Sequence, residues 1–212
     1  LQALLKRAAS RAGFGSGRPL AGLSPAAKGF AVAVAAEAGP VVVMVPSDAA
    51  VEQAVTDIRF FLGALEGLSD QQLRLHVLPC PSHEVDPYRG LAPHFDVASA
   101  RGRALHGLAD GSARVVVAAV AGLLPRVSPP ARLLRAGYSL VVGALLEPPD
   151  LSDQLADAGF IPEDPVDAHG EFCMRGGVVD FFPAGDDQPI RAEFAGDSLE
   201  SLRRFDPATQ RS

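Results

Sequence analysis

The sequence has no tryptophan, two cysteines, and two lysines among its 19 basic residues; charged residues occupy 21% of its 212 positions. The cysteines, Cys80 and Cys173, lie far apart and exclude the disulfide framework of small secreted domains, so we expect free thiols and a cytoplasmic protein. No apolar run approaches the ~20 residues that cross a bilayer, so no membrane partner is expected. Residues 1–14 carry their leucines on one helical face, which predicts a short amphipathic helix and not a signal peptide.

The charge is distributed unevenly along the chain. Residues 1–133 contain 13 Lys and Arg against 10 Asp and Glu, a net charge of +3, whereas residues 134–212 contain 6 against 15, a net charge of −9. An acidic surface repels the phosphate backbone of nucleic acids. The C-terminal part is therefore predicted to meet a protein in preference to DNA.

Residues 1–133 alternate apolar runs with helical patterns, which is typical of an α/β domain with a parallel sheet. The run at 40–46 is predicted to be a buried strand, followed by a helix that Ser47 or Asp48 caps. Further strands are predicted at 73–78 and 113–120, a helix at 99–109 and a proline-rich loop at 79–93.

Residues 134–212 have short strands and turns, which predict a separate small α+β domain with an antiparallel sheet. A helix is expected at 150–159, and the segment around Gly176-Gly177 has the pattern of a β-hairpin. Alternation along the strands gives one apolar face, which the helix covers. The opposite, uncovered face is predicted to display Arg175, Arg191 and Glu193.

The stretch GLSPAAKG at 22–29 has the spacing of a phosphate-binding loop, G-x-x-x-x-G-K-[ST]. Gly22 and Lys28 match that pattern, but Ala27 replaces the second glycine and Gly29 replaces the hydroxyl residue that holds magnesium. We therefore expect no ATP turnover at this segment.

No other motif assembles a catalytic or metal site. Cys80, His83, Glu84 and Asp86 cluster in the sequence but fall short of a tetrahedral zinc set, so no metal is expected. The glycine-rich stretch at 13–17 follows a predicted helix, whereas a dinucleotide fingerprint follows a strand.

Several segments resemble a known family. Residues 87–111, 115–127, 139–143 and above all 169–212 resemble the N-terminal module of the bacterial transcription-repair coupling factors, which is similar to the excision-repair protein UvrB. The most specific part is R-G-x-x-x-D-x-F-P, followed by R-x-E-F-x-x-D-x-[IL]-E-x-[LI]-R-x-F-D. The resemblance implies a degenerate helicase-like (RecA-like) lobe, followed by a small domain that binds the damage-sensing ATPase UvrA.

The resemblance also assigns residues. Arg175, Arg191 and Glu193 match UvrB positions associated with UvrA contact, whereas Cys173 stands where UvrB has a further arginine. Residues 22–29 would then be the remnant of an ATP site. Tyr88 is the only tyrosine between 79 and 96, where UvrB has a tyrosine-rich hairpin that probes DNA.

The resemblance thus implies a non-catalytic module that recruits UvrA, within a longer protein that translocates on DNA and displaces stalled RNA polymerase. ATP and magnesium would bind the motor domains of that parent and not this chain. One alternative is an active, ATP-dependent UvrB-type repair enzyme; another is an acidic lobe that docks on the parent's own motor. Arg175→Ala or Arg191→Ala is expected to weaken UvrA binding and to leave the circular dichroism spectrum unchanged.

Overall fold

The computed structural model describes residues 1–13, 19–83, 85, 89, 93–137, 139–183, 186 and 188–211. The chain forms two compact units, residues 1–134 and 135–212. Seven of the 15 residues of the predicted loop at 79–93, among them Glu84, Asp86 and Tyr88, lie outside the described residues.

The first unit is an α/β unit with a parallel sheet in the order β1-β3-β2, which confirms the predicted fold class. Its elements are α1 (Gln2–Ala12), α2 (Pro25–Ala35), β1 (Val41–Val45), α3 (Asp48–Glu66), α4 (Asp70–His76), β2 (Val77–Cys80), α5 (Phe95–Asp110), β3 (Val115–Ala119), a 3-10 turn (Val120–Leu123) and α6 (Pro130–Ala136), which spans the boundary between the units.

The strand predicted at 73–78 is largely wrong, because α4 occupies those residues as far as His76. Ser69 caps this helix through its hydroxyl, and the side chain of Gln72 accepts a hydrogen bond from the Ser69 backbone N–H. Such a capping box satisfies two backbone donors and favours a helix over an extended chain. The strand begins only at Val77.

The sheet of the first unit has two unequal faces. The α3 residues Val51, Val55, Ile58, Leu62 and Leu65 are buried in the cluster on one face, together with Val115 and Val117. The buried cluster on the other face takes residues from α5, β2 and β3 and none from β1. As a result Val42 is 50% exposed and Met44 69% exposed. The prediction of a buried first strand is therefore wrong for one of its faces, because the cluster that covers this face of the sheet takes no residue from β1.

None of the helices in the described parts of the chain is long and apolar enough to span a membrane.

The second unit pairs one helix with a five-stranded sheet in the order β4-β5-β6-β7-β8. Its elements are α7 (Pro148–Asp157), β4 (Ile161–Pro162), β5 (Glu171–Arg175), β6 (Val178–Phe181), β7 (Ile190–Ala195) and β8 (Ser198–Arg204). Strands β5 to β8 are antiparallel, whereas β4 pairs with β5 in parallel. The predicted hairpin is confirmed: β5 and β6 flank Gly176, whose positive φ of 61° suits the turn.

The two faces of this sheet follow the predicted alternation. Buried Phe172, Val179, Ala192 and Leu199 pack with Leu151 and Leu155 of α7, so the apolar face lies under the helix. The opposite face differs from the prediction, because it is partly covered. Val166, Phe182 and Phe205 form a second buried cluster, and Cys173 packs against it.

Candidate partner-binding surface

The outer face of the second sheet, meaning the face opposite α7, brings together polar residues from β5, β6 and β7. The strand register places Asp180 opposite Cys173 on one side and opposite Arg191 on the other. Arg175 and Glu193 both lie opposite Val178 in the neighbouring row. Cross-strand neighbours on one face are close enough to interact, and so are diagonal ones when a side chain is long.

Asp180 is the centre of this arrangement. Its side chain is 1% exposed, and both carboxylate oxygens accept hydrogen bonds from guanidinium groups. Arg191 donates from Nε to Oδ1 at 2.8 Å and from Nη2 to Oδ2 at 2.8 Å, while Arg175 donates from Nη2 to Oδ2 at 3.0 Å. A buried carboxylate is tolerated only when its charge is paired and its lone pairs are satisfied, and here two arginines do both.

Most of the Arg191 side chain is buried and makes its contacts within the unit. Its side chain is 19% exposed, its guanidinium carbon lies 4.7 Å from the centroid of the Phe205 ring, and Nη1 donates to the Gln210 carbonyl at 3.4 Å. The hydrogen bonds to Asp180 raise the pKa of the Arg191 guanidinium. Little of this group is left for a partner.

The sequence-based expectation for Arg191 therefore needs correction. Alternation places it on the predicted face, but it turns towards Asp180 and Phe205 instead of standing free in solvent. Removing it would leave the buried Asp180 with one donor. Arg191→Ala is thus expected to disturb the fold, contrary to the expectation of an unchanged spectrum.

Arg175 is the more accessible of the two arginines. Its side chain is 50% exposed, with Nη2 bonded to Asp180 and Nη1 lying 3.3 Å from Oδ1 of Asp164. Because the inner edge of the guanidinium is held by a buried carboxylate, the outer edge is presented in a defined orientation. Pre-organised arginines of this kind are favoured contacts in protein interfaces.

Glu193 lies on the same face but has different partners. Its Oε2 accepts a 2.5 Å hydrogen bond from the Ser201 hydroxyl and lies 3.4 Å from Nη2 of Arg203. The side chain is 37% exposed. The outer face therefore joins Arg175 and Arg191 through Asp180, whereas Glu193 belongs to a separate pair with Arg203.

Asp180 is the residue that the sequence analysis did not assign. The sequence does contain a pattern that points to Asp180, because an aspartate inside an apolar strand next to a hairpin requires a cationic partner. Identifying that partner requires the register of β6 against β7, which places Asp180 directly opposite Arg191.

Cys173 cannot act as a substitute for the arginine that UvrB carries at this position. Its thiol packs against the cluster of Val166, Phe182 and Phe205. Burial, followed by the charge of Asp164, raises the pKa of the Cys173 thiol. The group therefore stays neutral and offers no charge-assisted contact.

The phosphate-loop-like segment at 22–29 leads into α2. A phosphate loop connects a strand to a helix, and in the described residues, which omit 14–18, no strand precedes this segment. Ser24 caps α2, and Lys28 and Ala27 lie within its first turns. The interpretation of Gly22, Ala27, Lys28 and Gly29 as the remnant of an ATP site stays a prediction.

Gly29 has a packing role instead. A Cβ atom built on Gly29 would lie 2.7 Å from Cβ of Asp57 and 3.2 Å from its backbone carbon, so α2 and α3 approach closely only because this residue has no side chain. Lys28 is exposed on the same helix.

One strand-to-helix junction of the first unit lies between β1 and α3, where the sequence is Val45-Pro46-Ser47-Asp48. Ser47 caps the helix, and the Asp48 carboxylate accepts bonds from the Ser82 N–H at 2.8 Å and the Ser82 hydroxyl at 2.6 Å. A carboxylate in the first turn of α3 is attracted by the helix dipole and repels phosphate from that position.

Among the described residues, no group of three His, Cys, Asp or Glu side chains could hold a metal ion. Of the cluster considered in the sequence, Glu84 and Asp86 lie outside the described residues. Burial raises the pKa of the Cys80 thiol, which disfavours the thiolate that a metal requires.

Comparison with known proteins agrees with the family resemblance seen in the sequence. The family model described as "UvrB interaction domain" matches residues 138–212. The transcription-repair-coupling factor of Escherichia coli K12 is 35% identical over 202 residues, which cover 93% of this chain. Those of Myxococcus xanthus and Bacillus subtilis 168 are each 32% identical, over 90% and 91% of the chain. The chain spans 16% of the length of each of these relatives.

Proposed function

Because the chain belongs to the transcription-repair-coupling factor family, we propose that its second unit binds UvrA and so recruits excision repair to stalled transcription. The match of residues 138–212 to the UvrB interaction domain supports a protein partner for this unit. So does its acidic composition, which disfavours a direct role in binding nucleic acid.

The observation that carries the proposal is the geometry of Arg175. Buried Asp180 holds one edge of its guanidinium, and the side chain remains 50% exposed. An arginine oriented in this way loses little conformational entropy when it pairs with a carboxylate of a partner. We assign Arg175 as the contact residue, Asp180 and Arg191 as the residues that position it, and Glu193 as a second contact on the same face.

The chain itself is proposed to be non-catalytic. The parent protein would be an ATP-driven DNA translocase that displaces stalled RNA polymerase, with ATP and magnesium bound in its motor domains. This activity belongs in the cytoplasm, in keeping with the free thiols of Cys80 and Cys173.

The alternative of an active UvrB-type enzyme is disfavoured by the residues of the segment at 22–29. Ala27 replaces the second glycine of a phosphate loop, and Gly29 replaces the hydroxyl residue that holds magnesium. The first unit is therefore proposed to serve as a scaffold.

The proposal is tested by measuring the affinity of the purified chain for purified UvrA of the same organism. Arg175→Ala is expected to weaken binding by about 2–5 kcal/mol, since it removes a pre-organised charge from the interface. The dissociation constant should then rise by about 30-fold or more. Arg175→Lys should recover little of the loss, because an ammonium cannot bond Asp180 and a partner in the same planar geometry.

A matched control is Arg204→Ala, which removes the same charge from the same unit. Arg204 is 58% exposed, lies at the end of β8 and pairs with Asp186 at 2.7 Å. It should leave the affinity nearly unchanged. Wild-type affinity in Arg175→Ala, or an equal loss in Arg204→Ala, would refute the assignment of the outer face.

A further inference from the structure

Arg175 lies between two aspartates that differ sharply in burial. Asp180, bonded to Nη2, is 1% exposed, whereas Asp164, near Nη1, is 55% exposed. The two carboxylates approach opposite terminal nitrogens of one guanidinium. Because Asp180 is buried and Asp164 is exposed, the two ion pairs with Arg175 differ in strength.

The inner contact, with Asp180, is buried. Asp180 accepts three hydrogen bonds from two arginines, and its burial denies it water as a replacement partner. Breaking this contact would leave a charge unpaired in the interior of the unit. The position of Nη2 is therefore set by the fold.

The outer contact is weak. The distance of 3.3 Å between Nη1 of Arg175 and Oδ1 of Asp164 exceeds the 2.7–2.9 Å of a strong charge-assisted hydrogen bond. Both side chains are at least half exposed, and exposed pairs of this kind contribute roughly 0–1 kcal/mol. Asp164 can therefore leave Nη1 at little cost.

We propose that Asp164 is an internal competitor: it occupies the outer edge of Arg175 until a carboxylate of the protein partner replaces it. This inference rests on the proposed function, and it adds the chemistry of the partner, an acidic side chain that pairs with Nη1 of Arg175. A carboxylate is favoured over a phosphate because residues 134–212 carry a net charge of −9, which repels a polyanionic backbone more strongly than a single acidic side chain.

The test is the affinity of Asp164→Asn for purified UvrA. Neutralising a competing carboxylate should lower the dissociation constant by about 2–5-fold, the range that an exposed ion pair can supply. The gain should disappear when Asp164→Asn is combined with Arg175→Ala, because there is then no guanidinium to release. A purely structural role for Asp164 predicts the opposite sign, a loss of affinity together with a lower melting temperature.

The control for net charge is Asp186→Asn, which removes one negative charge from another exposed ion pair of the same unit, that with Arg204. It should leave the affinity close to that of the wild type. An equal gain in Asp186→Asn would show that only overall charge matters and would overturn the inference.

The remaining outcomes also decide. Unchanged or weaker binding by Asp164→Asn, with wild-type binding intact, refutes the competitor and leaves the proposed function standing. Absence of binding by the wild type refutes both. Binding of phosphate is tested by fluorescence anisotropy with a duplex DNA oligonucleotide. If Asp164→Asn binds DNA, and the binding is lost when Arg175→Ala is added, the outer edge of Arg175 recognises phosphate. The assignment of a carboxylate partner would then be wrong.

Discussion

Measuring the free energy of unfolding of Arg191→Ala tests whether the stability of the second unit depends on the ion cluster around Asp180. Arg191 supplies two of the three hydrogen bonds that reach the Asp180 carboxylate, and it packs over the ring of Phe205. Removing one partner of a buried ion pair typically costs about 3–5 kcal/mol. Because Arg175 retains its bond to Asp180, we expect a loss of about 2–4 kcal/mol in the free energy of unfolding.

The measurement is thermal and urea unfolding followed by far-ultraviolet circular dichroism, because the chain has no tryptophan to report by fluorescence. For a unit of this size, the expected loss lowers the melting temperature of the second unit by on the order of 10–20 °C. Adding Asp180→Asn to Arg191→Ala should recover part of the loss, since the orphaned charge is then removed.

The comparison variant is Arg204→Ala. Its side chain is 58% exposed and, within the described part of the chain, forms an ion pair with Asp186 alone, so its removal should change the stability by less than about 1 kcal/mol. If Arg191→Ala were as stable as Arg204→Ala, the description of Arg191 as a structural residue would be refuted.

Three further predictions concern the first unit. Hydrogen bonds from Arg114 lower the pKa of Glu66, so the pair stabilises the folded state at pH values above the ordinary carboxyl pKa of about 4.3. This stabilisation is lost as the pH falls through the lowered pKa of Glu66. When stability is measured by urea unfolding as a function of pH, Glu66→Gln should therefore reduce the loss of stability at acid pH. Gly29→Ala should destabilise the fold by about 1–3 kcal/mol, because the new Cβ atom would clash with α3. Gly102→Ala on α5 should stabilise the fold by up to about 1 kcal/mol, because its Cβ atom would meet nothing within 4 Å. If chemical denaturation ranked the two variants in the reverse order, the packing role of Gly29 would be contradicted. Titration with a fluorescent ATP analogue and magnesium should give no saturable binding, and Lys28→Ala should leave the titration unchanged; saturation that depends on Lys28 would revive the phosphate-loop interpretation.

Local patterns in the sequence were sufficient for much of the second unit. The Gly176-Gly177 turn joins residues that are near in sequence, and the periodicity of apolar residues along the strands and the helix indicates which face of each is buried. Side chains alternate strictly along a strand, so Arg175, Arg191 and Glu193 could be placed on one face without coordinates. The family resemblance rested on the same segment.

Patterns failed where the outcome depends on what lies beside an element. The apolar run at 41–45 has the composition of a buried strand, but the cluster that covers one face of the sheet does not include β1, so Val42 and Met44 are exposed. The run at 73–78 has strand-like composition, but the capping box at Ser69 and Gln72 begins a helix there.

The sequence by itself determined the two architectures, the hairpin, and the face on which the arginines lie, because these depend on chain-local periodicity. Only the tertiary structure decided that Asp180 binds both guanidinium groups, that Arg191 is committed to the interior, and that Arg175 keeps an accessible edge. The reason is physical: burial and ion pairing depend on which strands are adjacent and in what register, and residues 180 and 191 meet only once β6 and β7 are paired.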